Sequence, residues 1–171
     1  MKVLILQASP RTNGSTAWMA EEYKKAAEAA GHEVTVYNVA HKKIAGCMAC
    51  EYCHNKGNGA CIQKDDMQEL YPLMAEVEAL VLAAPIYYFT LSAQLQAPIQ
   101  RMYCVSKPAK VQKMSLLISS QSPNVYDGAM AQFRDLCNYW GAFNLGLVTA
   151  KADEQKTEET QKKIVALVAR L

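Results

Sequence analysis

Short apolar runs alternate with stretches of helical spacing along the chain. Val3-Leu4-Ile5-Leu6, Ala79-Leu80-Val81-Leu82-Ala83-Ala84 and Ser115-Leu116-Leu117-Ile118 are compact and end in turn-rich residues, the signature of parallel strands buried on both faces. Glu33 to Val39 is only partly apolar and reads as a second strand at a sheet edge, and Phe143 to Thr149 as a fifth. Between them, Met19, Tyr23, Ala26, Ala27 and Ala30 fall on one helical face that Gly31 stops. Met67, Leu70, Met74 and Val77 mark a helix capped at Asp65 and kinked at Pro72. Leu95, Ile99, Met102 and Tyr103 mark another, capped at Ser92 and interrupted at Pro98. Phe133, Leu136, Cys137 and Trp140 form a helix ending at Gly141, and Ile164, Leu167, Val168 and Leu171 form the last. This alternation predicts an α/β class with a doubly wound parallel sheet covered by helices on both faces.

The first strand stops at Ser9-Pro10-Arg11-Thr12-Asn13-Gly14-Ser15-Thr16, ahead of a helix N-terminus. Unpaired backbone amides, the positive end of the helix dipole, several hydroxyls and one guanidinium suit a phosphate monoester there. A Walker loop would need Gly-Lys before its Ser or Thr, and a dinucleotide fingerprint would need three glycines and an acid closing the second strand. A phosphatase-type loop would begin with cysteine where Ser9 stands. The expectation is therefore a loop that binds phosphate without attacking it. Ordinary helix capping would select several of the same residue types.

From His41 to Lys64 neither helical nor strand period holds, and this segment contains four of the six cysteines. Cys47, Cys50 and Cys53 follow a Cys-x2-Cys-x2-Cys spacing, and Gly57-Asn58-Gly59 lets the chain bring back Cys61. Such a set fits a 4Fe-4S cluster, whereas structural zinc more often takes two Cys-x2-Cys knuckles from separate turns. Zinc, disulfides or an empty thiol loop are the alternatives. Cys104 and Cys137 lie on predicted helix faces and read as small buried hydrophobes.

At 171 residues the chain has room for one buried core, so a single domain spanning 1–171 is expected, with the cysteine-rich loop as an insertion at about 41–64. A net charge of +2 with scattered basic residues leaves no electrostatic footprint for nucleic acid or an anionic membrane. The longest apolar run, Ala79 to Phe89, is far below the roughly 20 residues of a membrane span. With only Lys2 before a very short apolar stretch there is no secretory pattern, and a cytoplasmic location is expected.

Three motifs in order, Ser9-Pro-Arg-x-x-Gly-x-Thr16, Pro85-Ile-Tyr-Tyr88 and Leu95-x-Ala-x-Ile-x-Arg101, resemble those of the flavodoxin-like NAD(P)H-dependent FMN reductases. The compact cysteines ahead of Asp65-Asp66-Met67 resemble the iron-sulfur flavoproteins within that family. The resemblance implies a five-stranded parallel sheet in the order 2-1-3-4-5, with FMN at the switch point between the loops after strands one and three. It implies that Ser9, Arg11, Asn13, Gly14, Ser15 and Thr16 hold the FMN phosphate. Pro85, Ile86, Tyr87, Tyr88 and Phe89 would line the ring, with Ser120 and Tyr126 at its polar edge. Cys47, Cys50, Cys53 and Cys61 would be the metal ligands.

The expected activity is electron transfer between NAD(P)H or a ferredoxin-like donor and a small-molecule or redox-protein acceptor, with the cluster as a relay and no catalytic side chain required. A flavodoxin-like electron carrier without enzymatic activity and a zinc-stabilised binding module are the alternatives. Apolar surface around the Ser92 to Cys104 helix and the aromatic loop before it predicts a homodimer or higher homo-oligomer.

Overall fold

The computed structural model describes all residues from Met1 to Leu171. Strand β1 (Lys2–Gln7) leads into α1 (Ser15–Ala29), and β2 (Glu33–Asn38) pairs with β1 at the sheet edge. The cysteine segment follows, irregular except for the one-turn helix α2 (Tyr52–Asn55). Next come α3 (Met67–Glu76), β3 (Ala79–Tyr87), a two-residue strand β4 (Thr90–Leu91) and α4 (Ala93–Arg101), which tightens into a 3-10 turn over Met102–Val105. Strand β5 (Lys113–Ser120), α5 (Asp127–Trp140), β6 (Phe143–Lys151) and α6 (Glu158–Val168) complete the chain.

The parallel sheet runs β2-β1-β3-β5-β6, with β4 paired only to β3. This is the expected 2-1-3-4-5 order with the last two strands renumbered by β4, and the fold is flavodoxin-like. Side chains alternate across the sheet. Leu4, Leu6, Leu80, Leu82, Leu116 and Ile118 pack with residues of α3, α4 and α5, while Val3, Ile5, Val81 and Leu117 pack with Met19 and Tyr23 of α1 and Ile164 and Leu167 of α6. Both faces are buried, which is why the central strands read as unbroken apolar runs.

Local differences from the sequence reading have physical causes. Strand β3 continues through Pro85 and Ile86 to Tyr87 because Ile86 and Leu91, opposite one another in the β3–β4 pair, are both buried. Helices α3 and α4 run through Pro72 and Pro98 without ending. Pro98 lies in the middle of α4, is buried and costs that short helix one backbone bond. The N-cap of α3 is Asp66, which makes no side-chain capping bond, and the expected cap, Asp65, stands one residue earlier and accepts from the Met67 amide at 3.2 Å; the Ser92 hydroxyl is buried without a partner and makes no capping bond. No helix is long and apolar enough to cross a membrane.

Candidate functional site

The carboxyl ends of β1, β3 and β5 open into a polar cavity of about 570 Å³. Ser9, Arg11, Asn13, Gly14, Ser15, Thr16, Pro85, Ile86, Tyr87 and Ser120 line it, so most of the residues expected at the cofactor meet in one place. The N-cap of α1 is Gly14, which has no side chain to cap the helix. No hydrogen bond within the chain uses the amides of Ser15 and Thr16. Those donors, the dipole behind them and the Arg11 guanidinium form a donor set that fits a phosphate monoester. The Thr16 hydroxyl lies 2.7 Å from that of Ser119, fastening the loop to the end of β5, and the Ser9 hydroxyl accepts from the Arg11 amide at 3.2 Å.

Tyr88, Phe89 and Tyr126 do not line this cavity. Tyr126 reaches it indirectly, its hydroxyl 2.6 Å from that of Ser120. Tyr88 and Phe89 form the two-residue turn between β3 and β4, with φ of 46° and 68°. Two successive left-handed residues define a type I′ hairpin, for which Asn-Gly is the preferred pair and bulky aromatics are costly. Tyr88 is 95% exposed and Phe89 60%, so the strain is not offset by burial. Replacing Tyr88-Phe89 by Asn-Gly is expected to raise stability by roughly 1 kcal/mol in urea unfolding while removing the aromatic tip. Lower stability would show that the aromatics hold the hairpin.

The hairpin is seated on α5. A Cβ at Gly128 would lie 2.6 Å from the Phe89 carbonyl oxygen, so the helix start and the turn fit only without a side chain. Gly to Ala inside a helix ordinarily gains about 1 kcal/mol, and here the clash should reverse the sign to a loss of about 1–3 kcal/mol. Thermal or urea unfolding of Gly128→Ala checks this, and a stabilised variant would contradict the contact.

The cysteines occupy a separate, more apolar cavity. Cys47, Cys50, Cys53 and Cys61 all line it, together with Arg101 and Cys104. Left-handed turns at Ala49 and Glu51 wrap the first three cysteines, and the Ala49 amide donates to Cys47 Sγ at 3.4 Å. Gly59, with φ of 82°, donates to the Cys53 carbonyl at 2.9 Å and returns the chain to Cys61. Gly57 is required for another reason: a Cβ there would meet the Ala60 carbonyl at 2.4 Å and the Tyr52 ring at 2.8 Å. All six cysteines are free thiols. Burial pushes the Cys53 and Cys104 thiols up from their ordinary range. No three His, Cys, Asp or Glu side chains are arranged to hold a single metal ion. Four thiols against an apolar wall are the donor chemistry of a soft centre, and the residues present fit an iron-sulfur cluster in that respect.

The sequence profile described as NADPH-dependent FMN reductase matches residues 1–157. The chain belongs to this family. Among curated relatives, it is 39% identical over 102 residues to an iron-sulfur flavoprotein of Archaeoglobus fulgidus, covering 60% of this chain and 46% of the relative. It is 29% identical over 101 residues to an iron-sulfur flavoprotein of Methanosarcina thermophila, covering 59% and 52%. This FMN reductase family member thus spans about half the length of the curated relatives it matches. Solved structures share the fold. RosB with a bound 8-demethyl-8-formylriboflavin-5′-phosphate intermediate superposes with a TM-score of 0.80 at 17% identity, covering 99% of this chain and 76% of RosB. An FMN-dependent NADH-azoreductase from Bacillus anthracis in complex with FMN gives 0.72 at 13%, covering 99% and 98%.

Ser119 and Gln121, in the polar segment from Ser119 to Tyr126 expected at the cofactor's edge, also line the polar cavity, together with Gln155 and Lys156, which sequence patterns did not single out. Gln155 accepts from the Ser15 hydroxyl and donates to the Ser120 carbonyl at 2.6 Å, and Lys156 donates to the Asn13 carbonyl at 2.7 Å. Their only sequence signal was position, just beyond the carboxyl end of the fifth predicted strand. At the cysteine cavity, Arg101 is 1% exposed and makes a forked contact to Asp65 at 2.6 and 3.1 Å. It also donates to the Ala45 carbonyl at 3.0 Å, while Asp65 accepts from the Ala45 amide at 3.1 Å. Both ends of the cysteine loop are thereby tied to the end of α4.

Burial pushes the Asp65 carboxyl up, but hydrogen bonds from Arg101 and from the Ala45 and Met67 amides outweigh it and hold the group below its ordinary value. A depressed folded-state pKa contributes stability that is present above the unfolded value of about 3.8 and is lost as pH falls through the folded one. The stability difference between the chain and Asp65→Asn should therefore narrow as acid is added below that point. A pH series of urea unfolding curves measures it, and a gap that stays constant down to the acid limit would contradict the linkage.

Proposed function

We propose that the chain is an FMN-dependent NAD(P)H oxidoreductase built as one flavin-binding domain with a cluster-bearing loop. The observation that carries this reading is the meeting of the phosphate loop with Pro85, Ile86 and Tyr87 in one cavity at the carboxyl end of the sheet. In an open α/β sheet ligands bind at such a switch point. Ser9, Arg11, Asn13, Ser15 and Thr16 would hold the FMN phosphate, and Pro85 to Tyr87 the ring. Ser119, Ser120, Gln155 and Lys156 would close the polar side and exclude water. Bound FMN supplies two-electron exchange with a nicotinamide and one-electron exchange with a redox partner. No acid or base in the chain is assigned a proton.

Cys47, Cys50, Cys53 and Cys61 would ligate a 4Fe-4S cluster, and the names of the curated relatives support that assignment. The cysteine cavity lies beside Arg101 at one end of α4, and the hairpin precedes the other end. Nine helical residues span about 13.5 Å. The exposed Tyr87, Tyr88, Phe89, Tyr103 and Val105 flank both ends of that helix. A homodimer that covers them would bring one subunit's loop towards the other's flavin cavity.

An anaerobic steady-state assay with NADH or NADPH and a quinone or ferricyanide acceptor tests the activity. Turnover with either nucleotide supports the reading. FMN-loaded protein that exchanges electrons with a chemical reductant but turns over with neither nucleotide would replace it with an electron carrier of the flavodoxin type.

A further inference from the structure

The side-chain polar atoms that are buried without a partner belong to Gln7, Ser92 and Arg101, and among them only Arg101 Nε belongs to a cation. Arg101 is also among the largest fully buried side chains in the protein. Its two terminal nitrogens are occupied by Asp65 and the Ala45 carbonyl, and its Nε–H has no acceptor. A buried guanidinium N–H left without a partner is costly, so its place needs a reason beyond the ion pair. The surroundings supply one, because Arg101 lines the same cavity as Cys47, Cys50, Cys53 and Cys61. A guanidinium is not deprotonated in proteins, so Arg101 stands as a buried cation beside the thiols.

We propose that Arg101 is the electrostatic partner of an iron-sulfur centre in this cavity, its Nε–H donating to a thiolate or cluster sulfur and its charge favouring the reduced state. The inference rests on the reading of the four cysteines as cluster ligands. Four thiolates make such a centre an anion, and one-electron reduction adds a further negative charge to it. Hydrogen bonds to sulfur and net charge are among the levers that set its potential. Asp65 acts through Arg101 as a positioning residue. Its carboxylate and the Ala45 carbonyl hold the two terminal nitrogens, which fixes the plane of the guanidinium and the direction of Nε–H. A purely structural role, tying the loop to α4, would need the fork but would leave the potential unchanged when the charge is removed.

The test is a redox titration of holoprotein made without oxygen, followed by visible absorption and electron paramagnetic resonance, with iron, sulfide and FMN measured on the same sample. Arg101→Gln should disfavour cluster reduction by about tenfold, a negative shift of about 59 mV for a one-electron couple. Arg101→Lys keeps the charge but loses Nε–H and should shift the potential the same way by less. The flavin potential, read in the same titration, should move little in both. An Arg101→Gln protein with full iron content and the wild-type potential would overturn the proposal. If that variant does not retain iron, Arg101→Lys decides: a negative shift supports the proposal and an unchanged potential overturns it. Wild-type protein with no iron would instead fail the ligand assignment itself, which is a separate and recognisable outcome.

Discussion

Replacing Cys50 by Ser is expected to lower the iron content from about four per chain to below one while FMN stays bound. The same holds for Cys47, Cys53 and Cys61, since all four line one cavity that shares no residue with the polar one. The expected effect is large because the hydroxyl of Ser is a far harder and less acidic ligand than a thiol, and a cubane has one protein ligand per iron. Cys104 is the informative control. It lines the same cavity and is buried on the 3-10 turn after α4. Cys104→Ser should keep its iron if the ligands are the four loop cysteines. Iron lost from Cys104→Ser but kept in Cys61→Ser would move the fourth ligand from the loop to that turn.

Arg11→Ala combined with Thr16→Val should weaken FMN binding by roughly 30-fold or more, from about 1.5–3 kcal/mol for a hydrogen bond to a charged group and about 0.5–1.5 kcal/mol for a neutral one. Arg11 is exposed, so its loss should not unfold the chain. Thr16 is buried with its hydroxyl on Ser119, so Thr16→Val keeps the shape and leaves the Ser119 hydroxyl without that partner. Titration of apoprotein with FMN by flavin fluorescence quenching measures the affinity, and riboflavin serves as the comparison because it lacks the phosphate. The substitutions should narrow the difference between FMN and riboflavin. An unchanged FMN affinity in a folded double variant would remove the phosphate from this loop.

The sheet was legible because burial on both faces makes Val3 to Leu6 and Ala79 to Ala84 continuously apolar, and because Gly31 and Gly141 end their helices in left-handed turns at φ of 84° and 70°. That the segment from Ser9 to Thr16 borders the cavity was legible because it is local: one strand end, one helix start, eight residues. Gln155 and Lys156 were not, since they meet Ser15 and Asn13 only through the tertiary fold, more than a hundred residues apart in sequence. The hairpin at Tyr88 and Phe89 was hidden by composition, because two aromatics in left-handed conformation are the opposite of an Asn-Gly signal. The fork from Arg101 to Asp65 was hidden in a different way. A helical Arg and a capping Asp each had an ordinary explanation, and only burial and the closeness of the cysteine cavity join them.

We propose that one chain carries FMN on the Ser9–Thr16 loop and a cluster on the cysteine loop. The cofactor content of protein expressed and purified without oxygen, by flavin chromatography after denaturation and by iron and acid-labile sulfide assay, tests both at once. FMN at about one per chain, with about four iron and four sulfide, is the expected result. FAD in place of FMN would contradict the monophosphate loop, and one zinc per chain with no iron would contradict the cluster.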